Sequence, residues 1–273
     1  MIESVSIDMS LAMKSILRVK GMSESSLPPL LFVHGAWHGA WCWKPLMDYL
    51  AKKGITSYAL DLPGHGTRES EGVVGLGIMD YVAEVESAIE ELALIKPILI
   101  GHSMGGIIAQ KFLEKNEARA AVLIAPSPAM GGSLQLLIRY LRQPIAAITA
   151  TFGSKTRIRN QKMCKRLFFD DIPSHKLEAH YERLCFESSR AIRQMVFPGF
   201  KLKAAKITSI PVAVVAAGKD YFFEFQRLQN WAEEYEYDFL AFPEAAHNLL
   251  SEPEKFDFGE TIYKWLDNKI TSS

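Results

Sequence analysis

The chain has 273 residues, of which 48% are hydrophobic, and its formal net charge at pH 7 is zero. Such a large apolar fraction predicts a sizeable core and excludes a disordered chain. The balanced charge removes the long-range attraction that nucleic acid or an anionic membrane requires, so neither is expected as a partner. The length suits one α/β domain with an insertion, or two small domains.

The cysteines and the first residues bear on the cellular compartment. The three cysteines are odd in number and widely spaced, so they form no disulfide framework and no metal-ligand pair. Glu3, Asp8, Lys14 and Arg18 interrupt any apolar leader segment. No apolar run reaches the roughly 18 residues that a membrane span needs. We therefore expect a soluble cytoplasmic protein without a membrane partner.

Six short apolar runs alternate with helical patterns along the chain. The runs occupy residues 29–35, 57–64, 97–103, 120–126, 211–220 and 237–244. Each run is continuous, which is typical of strands buried on both faces of a parallel sheet. Helices are predicted near 43–53, 79–94, 104–115 and 223–235. The pattern predicts an α/β fold with a doubly wound, mostly parallel sheet, and residues 1–20 can add one or two antiparallel edge strands.

The alternation breaks once, between about Ser127 and Lys206. This stretch shows no convincing strand and only helical patterns, at 133–148 and 175–195. We expect a core domain formed by 1–126 and 207–273, with 127–206 inserted as a helical cap. The insertion has a local basic excess, "RYLRQ" and "KTRIRNQKMCKR". A solvated helix face is the expected explanation, and attraction of an anionic substrate is the alternative.

Ser103 stands between Gly101 and Gly105, at the end of the third apolar run and directly before a helical pattern. The spacing G-x-S-x-G is a weak signal alone, but a strand-to-helix turn is the context of a nucleophile elbow. The helix N-terminus also brings a positive dipole and free N–H groups to the serine. Ser103 is therefore the predicted nucleophile, and a turn serine without chemistry is the alternative.

A serine hydroxyl needs a base to take its proton and an acid to orient that base. His247 follows the last apolar run, and Asp220 ends the run before it. The order Ser103, Asp220, His247 matches the order found in this architecture, which the two histidines of the insertion would break. Glu244 is close to His247 in sequence, but strand geometry makes it a poorer orienting acid. Asp220 can also act as the N-cap of the following helix.

An oxyanion hole requires N–H donors aimed at the charge that develops on the attacked carbonyl. One predicted donor is the amide of Met104, the residue after the nucleophile. The second is Ala36 in the loop after the first apolar run, with Trp37 as the alternative donor. Trp37 is also the predicted substrate contact, because its side chain lies next to this loop.

Two further histidine-bearing motifs receive no chemical role. His34 and His38 are four residues apart, but they lie in a strand and its loop and no third metal ligand is evident. The motif "DLPGHG" (61–66) is interpreted as a loop built for its own backbone geometry.

These motifs resemble the α/β-hydrolase superfamily over nearly the whole chain, through "FVHGAWHGAWCW", "ALDLPGHG", "GHSMGG", "AAGKD" and "AAHNLLSEP". The pairing of "HGAWHGAWCWKPLMDYL" with "EFQRLQ" is most similar to the branch of small carboxylesterases, plant methylesterases and hydroxynitrile lyases. The resemblance implies a Ser-Asp-His hydrolase with a helical cap and no cofactor. Residue by residue it implies Ser103 as nucleophile, His247 as base, Asp220 as orienting acid, and Ala36 and Met104 as oxyanion donors.

Two positions depart from the lyases of that branch. They carry threonine where this chain has Gly35 and lysine where it has Asn248, which argues against lyase activity. A serine at position 103 argues against the epoxide hydrolases and dehalogenases, which use aspartate. We expect a carboxylesterase for small to medium esters, acting as a monomer or homodimer. The alternatives are a C–C hydrolase, lyase or perhydrolase with the same triad, or a ligand receptor with slow turnover.

Overall fold

The computed structural model describes residues 15–127, 153–197, 207 and 209–271. Their strands are β1 Ile16–Val19, β2 Leu30–Val33, β3 Ser57–Leu60, β4 Ile98–His102, β5 Ala120–Ile124, β6 Lys155–Thr156, β7 Glu187–Ser188, β8 Val212–Ala217 and β9 Asp238–Phe242. Seven of them form one sheet in the order β1-β3-β2-β4-β5-β8-β9, and β6 pairs with β7 in a separate ribbon.

The helices of the described residues lie between these strands, except the last, which follows β9. They are α1 Lys44–Ala51, α2 Ile78–Glu91, α3 Met104–Leu113, α4 Gln161–Phe168, α5 Ser174–Glu182, α6 Ser189–Val196, α7 Phe225–Glu234 and α8 Phe258–Thr271. In the part of the chain covered by the structure, none of these helices combines the length and apolarity that crossing a membrane requires.

The sheet confirms the predicted fold class. Every neighbouring pair from β3 to β9 is parallel, and only β1 runs antiparallel, against β3. Strand β1 falls in the region predicted to supply edge strands, while residues 1–14 lie outside the described residues. The parallel order brings the carboxyl ends of β2, β4, β5, β8 and β9 to the same edge of the sheet, where open α/β sheets bind their ligands.

Alternate side chains of each strand enter two separate cores. In β2, Leu31 and Val33 pack with α2, α3 and α7, whereas Leu30 and Phe32 pack with α1 and α8. All four of these side chains are fully buried. A strand covered by helices on both faces has no polar face, which explains why the apolar runs of the sequence are continuous.

The described part of the insertion, residues 153–197, contains three helices and the β6–β7 ribbon. The prediction that the insertion has no strand is wrong at this ribbon, because a pair of two-residue strands has no detectable period. The ribbon also divides the predicted helical stretch 175–195 between α5 and α6. The other predicted stretch, 133–148, lies outside the described residues, and the limits of the cap at 127 and 206 stay a prediction.

The insertion builds a small apolar core of its own. Its members include Ile158, Leu167 and Phe168, and these pack against Trp37 and Phe222. Trp37 belongs to the loop after β2 and Phe222 to the loop after β8. The described part of the insertion therefore covers the carboxyl edge of the sheet at these two loops.

Candidate active site

Ser103 is the single residue between β4 and α3, and its backbone is strained. Its φ of 53° and ψ of −113° lie where side chains other than glycine are disfavoured. Three backbone hydrogen bonds hold this conformation. The Ser103 N–H donates to the Ile124 carbonyl at 2.9 Å, and the Ser103 carbonyl accepts from the amides of Gly106 and Ser127 at 3.0 and 3.1 Å.

The glycines on either side permit the close approach of backbones at this turn. A Cβ on Gly101 would lie 2.3 Å from the Gly105 carbonyl oxygen, and a Cβ on Gly105 would lie 2.0 Å from the Val33 carbonyl oxygen. No side chain can be accommodated at these distances. The G-x-S-x-G spacing therefore has the steric origin that the sequence predicted.

Asp220 and His247 lie in the loops after β8 and β9, and the structure brings them into direct contact. Asp220 Oδ2 accepts from His247 Nδ1 at 2.8 Å, and Oδ1 accepts from the amides of Phe222 and Phe223 at 2.7 and 3.1 Å. Both ionisable side chains are fully buried. The contact selects the tautomer with a proton on Nδ1, which leaves Nε2 of His247 as an acceptor.

The structure argues against the other candidates for the orienting acid and the base. Glu244 is exposed and pairs with Lys219 at 3.1 Å, so it does not orient His247. His175 is exposed on α5, whereas the Asp220–His247 pair is buried. Helix α7 begins only at Phe225, with Glu224 as its N-cap, so Asp220 organises the preceding loop rather than capping this helix.

Ser103 and His247 line the same cavity, which has a volume of about 310 Å³. Gly35, Ala36 and Trp37 line it as well. Among the residues that the structure describes, no hydrogen bond joins Ser103 Oγ to His247. Catalytic hydrogen bonds are often long in unliganded sites and tighten when substrate binds. Met104 begins α3, and the amides of a first helical turn have no partner within the helix.

Neutral histidines shape the loop of Ala36, the predicted oxyanion donor. His34 donates from Nδ1 to the Gly35 carbonyl at 2.9 Å and accepts from the Leu62 amide at 3.2 Å. His38 donates from Nδ1 to the Ala36 carbonyl at 2.8 Å. Burial lowers the pKa of His34 well below its usual range and that of His38 to about 4. Both rings are therefore neutral near pH 7 and can each donate once and accept once.

These hydrogen bonds also account for the His34 and His38 pair that the sequence left without a chemical role. Their ring nitrogens are all engaged, since Nε2 of His38 faces Nε2 of His180 on α5 at 3.0 Å. Burial lowers the pKa of His180 to about 2, and neutral His180 donates to His38. Within the described ranges, no three His, Cys, Asp or Glu side chains cluster as metal ligands do.

His102, the last residue of β4, is a further neighbour of the site that sequence reasoning missed. Its Nε2 donates to the backbone carbonyl of His247 at 3.0 Å, and the two rings lie 4.7 Å apart. The ring is fully buried, and burial lowers its pKa well below the usual range. His102 therefore holds the backbone of His247 in place. Its position next to Ser103 was the only signal in the sequence.

His65, interpreted from the sequence as a purely structural loop residue, forms a buried ion pair with the insertion. Its Nδ1 donates to the Pro63 carbonyl and its Nε2 to Glu187 Oε2, each at 3.0 Å. Glu187 Oε1 also accepts from the Tyr81 hydroxyl and the Ser188 amide, both at 2.7 Å. With Nδ1 donating to Pro63, the carboxylate group at Nε2 favours a second proton on the ring and therefore the imidazolium form of His65. Burial opposes the charge, but the carboxylate outweighs it and the pKa of His65 is raised.

The rest of the "DLPGHG" loop does serve its own geometry. The Asp61 carboxylate accepts from the Ala40 amide at 2.6 Å and from the Thr67 amide and hydroxyl at 2.9 and 2.8 Å. Gly64 and Gly66 have φ values of 77° and 54°, which favour glycine.

The insertion also contacts the loop after β2 directly, at Trp37. The Trp37 carbonyl accepts from the Cys185 amide at 3.0 Å, and its indole N–H donates to Thr156 Oγ1 at 3.1 Å. Thr156 pairs with Glu187 in the β6–β7 ribbon. Trp37 itself has a φ of 66°, so its strained backbone is held by a residue of the insertion.

The fold agrees with the comparison to known families. A family model described as the alpha/beta hydrolase family matches residues 30–257. The chain belongs to this family, which confirms the resemblance recognised in the sequence.

Individual relatives are similar over shorter stretches. A pheophorbidase of Raphanus sativus is 34% identical over 88 residues, which cover 32% of this chain and 34% of the relative. The pFDCC methylesterase MES16 of Arabidopsis thaliana is 35% identical over 107 residues, 38% of this chain and 41% of the relative. The chain thus spans well under half the length of these two relatives. The crystal structure of a methylesterase protein MES16 from Arabidopsis shares the fold, with a TM-score of 0.67, 19% identity, and coverage of 90% of this chain and 100% of that chain.

The buried His65–Glu187 pair predicts a pH-dependent stability. Glu187→Gln should lower the free energy of unfolding by about 3 kcal/mol at pH 6, because a buried charge loses its partner. Because the pKa of His65 is raised in the folded state, the ion pair stabilises the fold fully below the pKa of about 6.5 that histidine has in the unfolded chain. This contribution disappears as the pH rises through the folded-state pKa of His65. Urea unfolding of both proteins between about pH 6 and 10 should therefore show a shrinking difference.

The exposed Glu234 on α7 offers a control, since Glu234→Gln should change stability by less than about 0.5 kcal/mol at every pH. A constant difference between wild type and Glu187→Gln across the range would contradict a charged His65.

Proposed function

We propose that the chain is a carboxylesterase that cleaves small to medium carboxylic esters in two acyl-transfer steps. One observation carries the proposal: the buried Asp220–His247 pair, with its 2.8 Å contact, opens on the cavity that also exposes Ser103 in its strained turn. Membership of the alpha/beta hydrolase family supports it, as do the relatives named as methylesterases. The volume of about 310 Å³ is at the lower end for ligand pockets and supports a substrate of modest size.

In the first step Ser103 Oγ attacks the ester carbonyl carbon while His247 Nε2 takes the hydroxyl proton. The Asp220 carboxylate keeps Nδ1 protonated and stabilises the imidazolium that forms. The carbonyl oxygen becomes an oxyanion, which the amides of Ala36 and Met104 bind. When the tetrahedral intermediate collapses, the bond to the alcohol oxygen breaks and the alcohol leaves with the proton from His247.

The second step releases the acid from the acyl-serine. His247 Nε2 takes a proton from a water molecule, whose oxygen attacks the acyl carbon. The second intermediate collapses, the bond to Ser103 Oγ breaks, and His247 returns its proton to the serine. The buried His102 supports both steps as a positioning residue, since it holds the His247 carbonyl at 3.0 Å.

The two positions that distinguish the lyases support hydrolysis here. The Asn248 side chain is buried and donates to Ser251 Oγ at 2.8 Å, and Asn248 is not on the wall of the cavity. A Cβ on Gly35 would lie 3.1 Å from the Cβ of Ser103, so a threonine side chain would crowd the nucleophile.

The nucleophile is tested with p-nitrophenyl acetate, butyrate and octanoate. Ser103→Ala should lower kcat/KM by a factor of about 10⁴ or more on every ester that the wild type hydrolyses, because no acyl-enzyme can form. Ser57→Ala is the matched control. Ser57 is a buried serine at the amino end of β3, outside the cavity, and its hydroxyl has no hydrogen-bond partner within the described structure.

Equal and substantial turnover by wild type and Ser103→Ala would overturn the assignment of Ser103. Tight binding of an ester with turnover far below about 1 per second would instead favour a ligand receptor on the same fold. An initial burst of p-nitrophenol equal to the enzyme concentration would establish the acyl-enzyme and separate two-step from direct hydrolysis.

The role of Asp220 is tested by Asp220→Asn. Oδ1 is already held by two amides, so the new side-chain NH₂ replaces Oδ2 and faces His247 Nδ1. The imidazole must then carry its proton on Nε2, where it cannot accept one from Ser103. We expect kcat to fall by about 10⁴ with an unchanged fold. Asp48→Asn, at an exposed surface pair, should keep full activity; a similar loss in both variants would contradict the orienting role.

A further inference from the structure

A strongly basic segment borders the cavity. Residues 153–166 contain six cationic side chains and no Asp or Glu: Lys155, Arg157, Arg159, Lys162, Lys165 and Arg166. The first three, here called the cationic rim, line the cavity although their side chains reach solvent. The residues between them, Thr156 and Ile158, are buried. The segment thus alternates, with its apolar or neutral side chains inward and its charges at the opening.

The interior of the cavity is apolar where the cap and the core meet. Leu167, Phe168, Ile192, Met195 and Phe222 contribute to its wall. Among the described residues, no Asp or Glu lines the cavity. A ligand that fills it therefore meets hydrocarbon and aromatic surface inside and positive charge at the rim.

Two of the three cations of the rim contact an aromatic ring of the same cavity. Lys155 Nζ lies 4.0 Å and the Arg157 guanidinium 5.4 Å from the ring centroid of Phe186, which itself lines the cavity. Such cation–aromatic contacts keep both charges next to a residue of the cavity wall. Lys155 also pairs with Ser188 in the β6–β7 ribbon. The rim is therefore connected to the same ribbon that contacts Trp37.

The rim cations have no acidic partner within the described part of the chain, unlike many other surface cations. Lys44, for example, pairs with Asp48 at 2.6 Å and Lys219 with Asp170 at 2.7 Å. Because the chain as a whole is neutral, an uncompensated group of three charges at one opening produces a local positive field. Arginine in particular suits oxoanions, whose geometry its planar N–H groups match.

We propose that the substrate of this site is an amphiphilic ester with an anionic group, a carboxylate or a phosphate, at the end of its apolar part away from the scissile bond. The inference rests on the proposed esterase function and specifies its substrate class. The apolar part occupies the cavity, the ester carbonyl reaches Ser103, and the anion pairs with the cationic rim.

Two matched esters test the proposal: the mono-p-nitrophenyl ester of suberic acid, which ends in a free carboxylate, and its methyl ester, which is neutral. The wild type should show a kcat/KM about tenfold higher for the anionic ester at low salt, since one charge-assisted contact contributes about that factor. In the variant K155Q/R157Q/R159Q the ratio of kcat/KM for the anionic ester to that for the neutral ester should fall to about one, because only the anionic ester loses a charge-assisted contact.

A second variant separates the rim from general charge attraction. K162Q/K165Q/K176Q also removes three exposed cations of the insertion, none of which lines the cavity. It should keep the preference for the anionic ester within about twofold of the wild type. An equal loss of preference in both variants, or no preference in the wild type, would overturn the proposal. Turnover of the neutral ester shows in each case that the variant is folded.

A binding measurement distinguishes failure of this proposal from failure of the esterase function. Octyl phosphate and octanol are each titrated into two proteins, the Ser103→Ala variant and the same variant carrying K155Q/R157Q/R159Q as well. Tryptophan fluorescence reports binding. Binding of octyl phosphate at least about tenfold tighter than octanol, lost in the rim variant, supports the anionic site even if no ester is hydrolysed. Equal binding of the two compounds overturns it, whatever the outcome for ester hydrolysis.

Discussion

The turn between β4 and α3 is the constraint on which the rest of the site depends. It joins three neighbouring strands: the serine follows β4, its amide bonds to Ile124 of β5, and the first turn of α3 presses Gly105 against Val33 of β2. Such contacts form only when the three strands are in the observed register. The sheet order therefore sets the position of Ser103, and the strain at its backbone is offset by hydrogen bonds that belong to the fold.

Around this turn, buried histidines differ in whether their surroundings favour the neutral or the charged form. His34, His38 and His102 are deprived of water by burial and stay neutral, so each supplies a directed hydrogen bond without charge. His65 is equally buried, but a carboxylate from the insertion favours its charged form and raises its pKa. Burial alone does not decide the state of a histidine here; the partner at its second ring nitrogen does.

The sequence predicted what depends on local pattern. Strands that are buried on both faces appear as continuous apolar runs, so the fold class could be predicted. Steric crowding requires the glycines beside Ser103, so the turn could be predicted as well. Asp220 and His247 followed from chain order, and their contact agrees with that prediction, while the catalytic roles remain proposals. The His65–Glu187 pair could not be predicted from the sequence, because the two residues are 122 positions apart and Glu187 belongs to no motif. The two-residue ribbon was missed because it is too short to show a period.

The contacts of Trp37 have a consequence for how such an insertion can be exchanged. The loop that carries Ala36 is completed by Cys185 and Thr156, two residues that lie outside the sheet and its helices. Joining the chain directly across residues 153–197 keeps the strands of the sheet and the hydrogen bonds of the Ser103 turn but removes both partners of Trp37. A transplanted cap must therefore bring an N–H and a hydroxyl to the same two points. The helices of the insertion can therefore be exchanged, whereas the β6–β7 ribbon has to be kept together with the core.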